Sequence, residues 1–268
     1  MAGFGNVATA LERVTYRDAR ISGVIHVGLL VSGTTLLGRR VPVAVATWVV
    51  VGGRTLDREA AEVQRLLSVG ELDAARRQVS RLVGRDTSAL DEFGVARAAL
   101  ESVAENTSDA VVTPLFWGAL LGTPGLMAYR AVNTLDAMVG HHNSRYERFG
   151  WAAARFDDLV NLPGARLTAA LTVLLGADHA GAYRAWIRDA RHHPSPNAGP
   201  VEAAFAGALG VRLGGVNSYA GQTEDRHVLG DGRAPNHEDL ARGRALAKRV
   251  SWAALAVCAA TRLLLRRR

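Results

Sequence analysis

The chain alternates between apolar runs and amphipathic or polar blocks. Ile21–Leu37 ("ISGVIHVGLLVSGTTLL") is apolar apart from His26 and small hydroxyl residues, and Val41–Gly53 ("VPVAVATWVVVGG") follows after only Gly38, Arg39 and Arg40. Crossing a bilayer takes about 20 apolar residues, with about 17 as a lower bound. The two runs together predict a membrane hairpin over 21–56, with a buried hairpin in a soluble helical protein as the other reading. From Asp57 to Gly84, apolar positions Val63, Leu66, Leu67, Leu72, Ala75, Val79, Leu82 and Val83 fall at helical spacing against a charged face. That pattern predicts a pair of soluble helices stopped at Gly70 and Gly84.

"RDTSAL" offers Asp86, Thr87 and Ser88 as caps for the next helix, which carries "ESVAENTSDA". Segment 111–127 is apolar but interrupted by Pro114, Gly118, Gly122, Pro124 and Gly125, as in a broken or re-entrant helix or a buried core element. Leu167–Leu175 is too short to span alone, and Val250–Leu265 reads as a C-terminal membrane helix closed by Arg266–Arg268. No convincing strand appears. The expected fold is mostly α: a multi-pass integral membrane helical protein with a cytoplasmic helical and loop region, forming one domain over 1–268. Within it lie the hairpin at 21–56, soluble helices at 57–110, a core with catalytic-type loops at 111–245 and a membrane helix at 246–268. If the large polar parts are cytoplasmic, Arg39 and Arg40 fall on the outer side, against the usual charge bias.

Composition supports the membrane component. Mean hydropathy is +0.06, high for a soluble enzyme, and 49% of the 268 residues are hydrophobic. The net charge of +7 comes almost entirely from arginine, since Lys248 is the only lysine. Such a charge suits nucleic acid, anionic lipid or anionic substrates, but no nucleic-acid-binding signature occurs. A single cysteine, Cys258, excludes an intrachain disulfide and a multi-cysteine metal site. The first twenty residues carry Glu12, Arg13, Arg17, Asp18 and Arg20 without an apolar core, unlike a secretory signal.

Candidate chemistry falls into five groups. Arg97, Glu101, Glu105 and Asp109 follow one another at i+4 on a helix, with Asn106 and Ser108 beside them. Residues at that spacing share a face, and like charges there cost a few tenths of a kcal/mol per pair. Carboxylates with substrate phosphates commonly hold Mg²⁺, so a metal or metal–nucleotide site stands against a solvated face with an Arg–Glu pair. Asn133 and Asp136 lie one turn apart between apolar residues, ahead of His141 and His142; they form a binding pair or a packing network. "FDDLVN" gives Asp157, Asp158 and Asn161, a Mg²⁺–phosphate chelate or a solvated turn.

"RDARHHPSPNAGPVEAAFAGAL" is the most specific string. It gathers Arg188, Asp189, Arg191, His192, His193, Ser195, Asn197 and Glu202 around stiffening prolines, a rigid polar loop feeding a helix N-terminus and suited to an anion. A plain connecting loop fits it poorly. "VRLGGVNSY" and "LGDGR" add Arg212, Asn217, Tyr219 and Asp231 in glycine turns that match neither a Walker A loop nor a dinucleotide fingerprint.

Several strings together, "ESVAENTSDA", "YRAVNTLDAMVG", "FGWAAARFDD" and "HPSPNAG", closely resemble the adenosylcobinamide-phosphate synthase family, the CobD/CbiB-type proteins of cobalamin biosynthesis. The resemblance covers most of the chain, from about Leu11 to the C-terminus. It implies a multi-pass protein of the cell membrane with its active region on the cytoplasmic face. The implied reaction is ATP-dependent amide formation between a propionate carboxyl of adenosylcobyric acid and aminopropanol or its phosphate. ATP and Mg²⁺ are the implied cofactors. The corrinoid, the amine and membrane lipid are the implied partners, with a second copy of the chain or later corrinoid-assembly enzymes beside them and no nucleic acid. Within it, Glu101, Glu105, Asp109, His192, His193 and Asn197 are candidate catalytic residues. Arg97, Asn106, Asn133, Asp136, Arg191, Ser195, Arg212 and Asn217 are candidates for substrate or phosphate binding, and Glu105, Asp109, Asp157 and Asp158 for metal.

Family members usually begin with another hydrophobic helix and a Gly-Asp-Pro…His-Pro motif, whereas "MAGFGNVATALERVTYRD" resembles the region just after it. A late start codon or a true truncation accounts for this, and a true truncation changes helix parity. Two non-enzymatic readings remain beside the synthase. One is a membrane regulator like the related AmpE-type proteins, against which the intact "HPSPNAG" and "ENTSDA" strings count; the other is a scaffold in corrinoid assembly.

Overall fold

The computed structural model describes residues 2–141, 143–219 and 222–266, so His142, Arg267 and Arg268 lie outside the described residues. The chain forms two compact units, one of 1–51, 113–163 and 257–268 and one of 52–112 and 164–256.

The first unit contains α1 (Ala2–Thr15), α2 (Arg20–Gly38), α3 (Val43–Val50), α7 (Thr113–Leu121) and α8 (Thr123–Val139). The opening part of α9 (Trp151–Leu175) and the end of α12 (His237–Arg266) complete it. Its core gathers Ala8, Val27, Leu30, Leu135, Val139 and Phe149. Small residues let α2 approach its neighbours: a Cβ on Gly23 would stand 1.9 Å from the Phe149 carbonyl oxygen, and one on Gly38 2.8 Å from Pro124 Cα. The opposite face of α2 leaves Ile21, Ile25, Leu29 and Leu37 exposed. Among the described residues, α2 and α9 are the two helices long and apolar enough to cross a membrane.

Two expectations change here. The second arm of the hairpin is only the eight residues of α3, about 12 Å at 1.5 Å per residue, and the helix breaks at Val51 and Gly52. Leu167–Leu175 is not a separate short run but the last part of the 25-residue α9, which continues through Pro163 and carries "FDDLVN" inside it. Apolar segment 111–127 is indeed broken, by a π-helical turn over Ser108–Val112 and by Gly122 at φ +71°.

The second unit contains α4 (Gly53–Ser68), α5 (Leu72–Val79), α6 (Glu92–Thr107), α10 (His179–Asp189) and α11 (Ala198–Leu209), with the rest of α9 and α12. The α4–α5 pair is the helix pair that the periodicity predicts, turned at Gly70 with φ +78°. Its core includes Val63, Ala96, Leu100, Val103, Phe205 and Leu240, all at most 2% exposed. Helix α11 is buried along its whole length. It packs so tightly on α10 that a Cβ on Gly207 would sit 2.2 Å from the Gly181 carbonyl oxygen.

The expectation of no strands is corrected by an antiparallel hairpin, β1 (Leu213–Tyr219) and β2 (Gln222–Leu229). Its alternation is masked by a bulge between Gly214 and Val216, where Gly214 and Gly215 take φ of +71° and +80°. The cap of α6 is also relocated. Asp91, not Asp86, Thr87 or Ser88, accepts the Gly94 N–H at 2.7 Å. Asp86 instead accepts from Ser88 N–H, and the Thr87 hydroxyl donates to the Arg76 carbonyl.

Candidate functional site

The acidic stretch divides by role. Glu101 lies on the buried side of α6, where both carboxyl oxygens are committed. Oε2 pairs with the Arg85 guanidinium, and Oε1 accepts the Gly214 N–H at 2.7 Å. Arg85 also donates to Asn217 Oδ1. Arg97, one turn earlier, donates to the Gly214 carbonyl at 2.7 Å and to Asn217 Oδ1 at 3.3 Å. Glu101, Arg85 and Arg97 thus tie the bulged start of the hairpin to α6, and Glu101 has little left to offer a metal.

Glu105, one turn further, faces a different set. Burial raises its pKa, Arg226 opposes that rise, the negative charge of Glu101 adds to it, and Arg85 opposes it again. Glu202 on α11, 2% exposed, is raised well above the ordinary carboxylate range by burial and then by Glu101 and Glu105, with Arg226 and Arg85 opposing. Carboxyls from two helices therefore converge with two arginines in a desolvated place. Asp109 falls in the π turn that directly follows α6, and such turns are frequent at functional sites. Asn106 folds back on its own helix, donating to the Ser102 carbonyl and hydroxyl.

The proline-rich loop supplies the third side. After a 3-10 turn over Ala190–His192, Ser195 Oγ accepts the N–H groups of Asn197 and Ala198 at 3.3 and 3.1 Å and so caps α11. Asn197 Oδ1 accepts from Arg166 at 3.1 Å. His193 is 7% exposed; its Nδ1 lies 3.1 Å from the Ser195 nitrogen and 3.3 Å from the Ser195 carbonyl oxygen, so it accepts from the first in one tautomer and donates to the second in the other. Its Nε2 is buried without a hydrogen-bond partner, as are Asn217 Nδ2 and Arg85 Nε, while Arg97 Nε lies 3.9 Å from Glu101 Oε1. Burial lowers the His193 pKa, the Ser195 backbone bond opposes this, and Arg226 lowers it further. Native interiors rarely leave such groups unsatisfied, which makes this cluster the candidate site.

Other candidates lie apart from this cluster. His192 is exposed and stacks on His227 at 4.6 Å, with Arg191 Nε 3.2 Å from its Nε2. Arg212 shares a cavity of about 450 Å³ with Arg97, Asp91 and Phe93 near the start of α6. Asn133, Asp136, Asp157 and Asp158 belong to the first unit, whereas Glu105 and Asp109 belong to the second. There Asn161 Nδ2 donates to Asp157 Oδ2 at 2.9 Å, Tyr129 donates to Asn161 Oδ1 at 2.8 Å, and Asp157 Oδ1 is buried without a partner. Asn133 and Asp136 of α8 act on the same Asp157 carboxyl, while Asp158 pairs with Arg155 at 3.7 Å. Arg130 donates to Asn133 Oδ1 at 3.1 Å.

Among the described residues, no group of three or more His, Cys, Asp or Glu side chains is arranged to hold a metal. Mg²⁺ commonly needs only one or two carboxylates beside substrate phosphates, and Glu105 with Glu202 offers that donor chemistry. The sequence pattern gathers Glu202 into the proline-rich string without giving it a role, and does not single out Arg85 or Arg226. Glu202 carried the best signal, an acid within the otherwise apolar "GPVEAAFAGAL". Arg85 and Arg226 sit in polar segments where nothing sets them apart.

The fold defines a mostly helical protein with a buried carboxylate–arginine–histidine cluster in one unit and an apolar helical unit beside it in sequence. The CobD/Cbib protein family matches residues 1–247, and the chain belongs to this family. It is 51% identical to the cobalamin biosynthesis protein CobD of Mycobacterium tuberculosis, over 97% of this chain and 87% of that protein. It is 48% identical to the protein of the same name from Chromobacterium violaceum, over 97% and 89%. The Rhodobacter capsulatus relative is 49% identical over 87% and 78%. No solved structure matches.

Proposed function

We propose that this protein acts in cobalamin biosynthesis as an adenosylcobinamide-phosphate synthase of the cell membrane. It would join a propionate carboxyl of adenosylcobyric acid to aminopropanol or its phosphate at the expense of ATP. Family membership supports the pathway. The observation that carries the chemistry is the buried His193 Nε2 without a hydrogen-bond partner, acted on by the same Arg226 whose charge bears on Glu105 and Glu202.

Amide formation from a carboxylate needs a leaving group. A carboxylate oxygen attacks the γ-phosphorus as the bond to ADP breaks, giving an acyl phosphate. The amine nitrogen then attacks the acyl carbon, the C–O bond to phosphate breaks, and the nitrogen sheds one proton. Arg226 supplies fixed positive charge for the carboxylate and phosphate oxygens. In the tautomer whose Nδ1 accepts the Ser195 N–H, His193 Nε2–H would donate to an oxyanion in a site where donors need no reorganisation. Glu105 and Glu202 are the residues that would hold Mg²⁺, which when bound neutralises phosphate charge. The apolar faces of α2 and α9 favour membrane residence.

The test is amide synthesis by membranes containing the full chain, supplied with adenosylcobyric acid, ATP, Mg²⁺ and either amine, with product read by mass. Wild type should form product; Glu105→Gln and His193→Ala should each lower turnover about a hundred-fold or more. Full activity in both variants, or wild-type membranes that make no amide from either amine, would sink the assignment.

A further inference from the structure

At the end of α2 in the first unit lies a cavity of about 380 Å³ lined by Arg39, Arg262 and Arg266. No acidic residue lines it among the described residues. Arg262 is half-buried, and among the described residues its hydrogen bonding is one long 3.5 Å contact from Nη1 to the Ala119 carbonyl, which leaves most of its donors uncommitted. Its guanidinium lies over Gly122, where a Cβ would come within 3.0 Å of Nη2 and where φ is +71°. Three guanidinium groups in one hollow repel each other unless an anion is present.

The surroundings say which kind of anion. Arg39 directly follows α2, whose 19 residues measure about 28 Å, close to a hydrocarbon core. Leu36 and Leu37 at the same helix end, Leu121 beside the hollow and Leu264 on α12 are all 56–64% exposed. A soluble anion has no use for such a rim. An amphiphile does: its phosphate would enter the arginine-lined hollow while its chains run along the leucines. Basic pockets between membrane helices bind lipid head groups in this way.

We propose that Arg39, Arg262 and Arg266 form a binding site for the phosphate head group of an anionic phospholipid. The site rests on the membrane reading above but is independent of the amide chemistry. It sets Arg39 beside Arg262 and Arg266 at one end of the first unit.

The test uses the full chain purified in detergent, with dioleoyl phosphatidylglycerol and dioleoyl phosphatidylcholine added in equal amounts and retained lipid counted by native mass spectrometry. Wild type should retain phosphatidylglycerol with about ten-fold preference. The Arg39→Gln/Arg262→Gln pair should lose that preference, while Arg40→Gln, which does not line the cavity, should keep it. Should the double variant fail to fold, Arg39→Gln alone, at an exposed position, carries the same expectation. Equal retention of both lipids by wild type, an unchanged preference in the variants, or displacement of the lipid by millimolar inorganic phosphate overturns the site. Release of wild type from membranes by alkaline carbonate would instead overturn the membrane reading beneath it.

Discussion

Arg85 and Glu101 form an ion pair with both side chains at most 5% exposed, joining the segment before α6 to α6 itself. A buried pair returns little net stability when intact, but removing one partner strands a charge. Arg85→Met is therefore expected to destabilise the protein by about 3–5 kcal/mol, and Arg85→Met with Glu101→Met by clearly less. Denaturant unfolding of the purified chain reads both. Equal losses in the single and double variants would show that the pair does not act as a unit.

His193 gives a pH-dependent signature. Its pKa is lowered in the folded state by burial, so the unfolded state binds the proton more readily. Stability is then full above the ordinary imidazole value of about 6.5 and declines as pH falls from there toward the lowered folded value. His193→Gln should flatten this part of the stability curve, measured by unfolding in a series of buffers. A curve of unchanged slope would remove the histidine from that role.

Glu202 has the opposite sign. Its folded pKa is raised, so its contribution is fully present below the unfolded value of about 4.3 and is lost as pH rises toward the folded value. Glu202→Gln should leave stability at acid pH little changed and raise it at neutral pH, because the neutral amide avoids the desolvation and the repulsion from Glu101 and Glu105. Amide synthesis should fall by at least about ten-fold in the same variant if its carboxyl serves the reaction. Loss of stability at neutral pH would contradict the electrostatic account.

Gly207 tests helix packing without touching charge. Gly207→Ala would place a methyl group against the Gly181 carbonyl, backbone that cannot swing away. The expected cost is about 1–3 kcal/mol, with a lower thermal midpoint. Gly210→Ala is a useful contrast: open space surrounds that position, but its φ of +66° is strained for alanine, so any loss there is conformational.

The helical segments were legible because their signals are local. Spacing of Val63, Leu66 and Leu67 against charges predicts α4, and Gly70 predicts its end. The loop of "HPSPNAG" and its helix were legible for the same reason, since prolines and a cap act within a few residues. The hairpin was not. Its register depends on Glu101 and Arg97 binding the Gly214 backbone 113 and 117 residues away, and its own residues hide the alternation in a bulge.

Sequence by itself determined that the protein is mostly helical, apolar in long segments, and a member of one family by its extended motifs. Tertiary structure decided which of three evenly spaced acids does what. Glu101 is held as a strut by Arg85 and the Gly214 N–H, Glu105 shares a buried cluster with Glu202 and Arg226, and Asp109 lies in the π turn beyond α6. The i+4 spacing of the three is the same. What distinguishes them is burial and the charges brought near from distant parts of the chain, and those are properties of the packed protein.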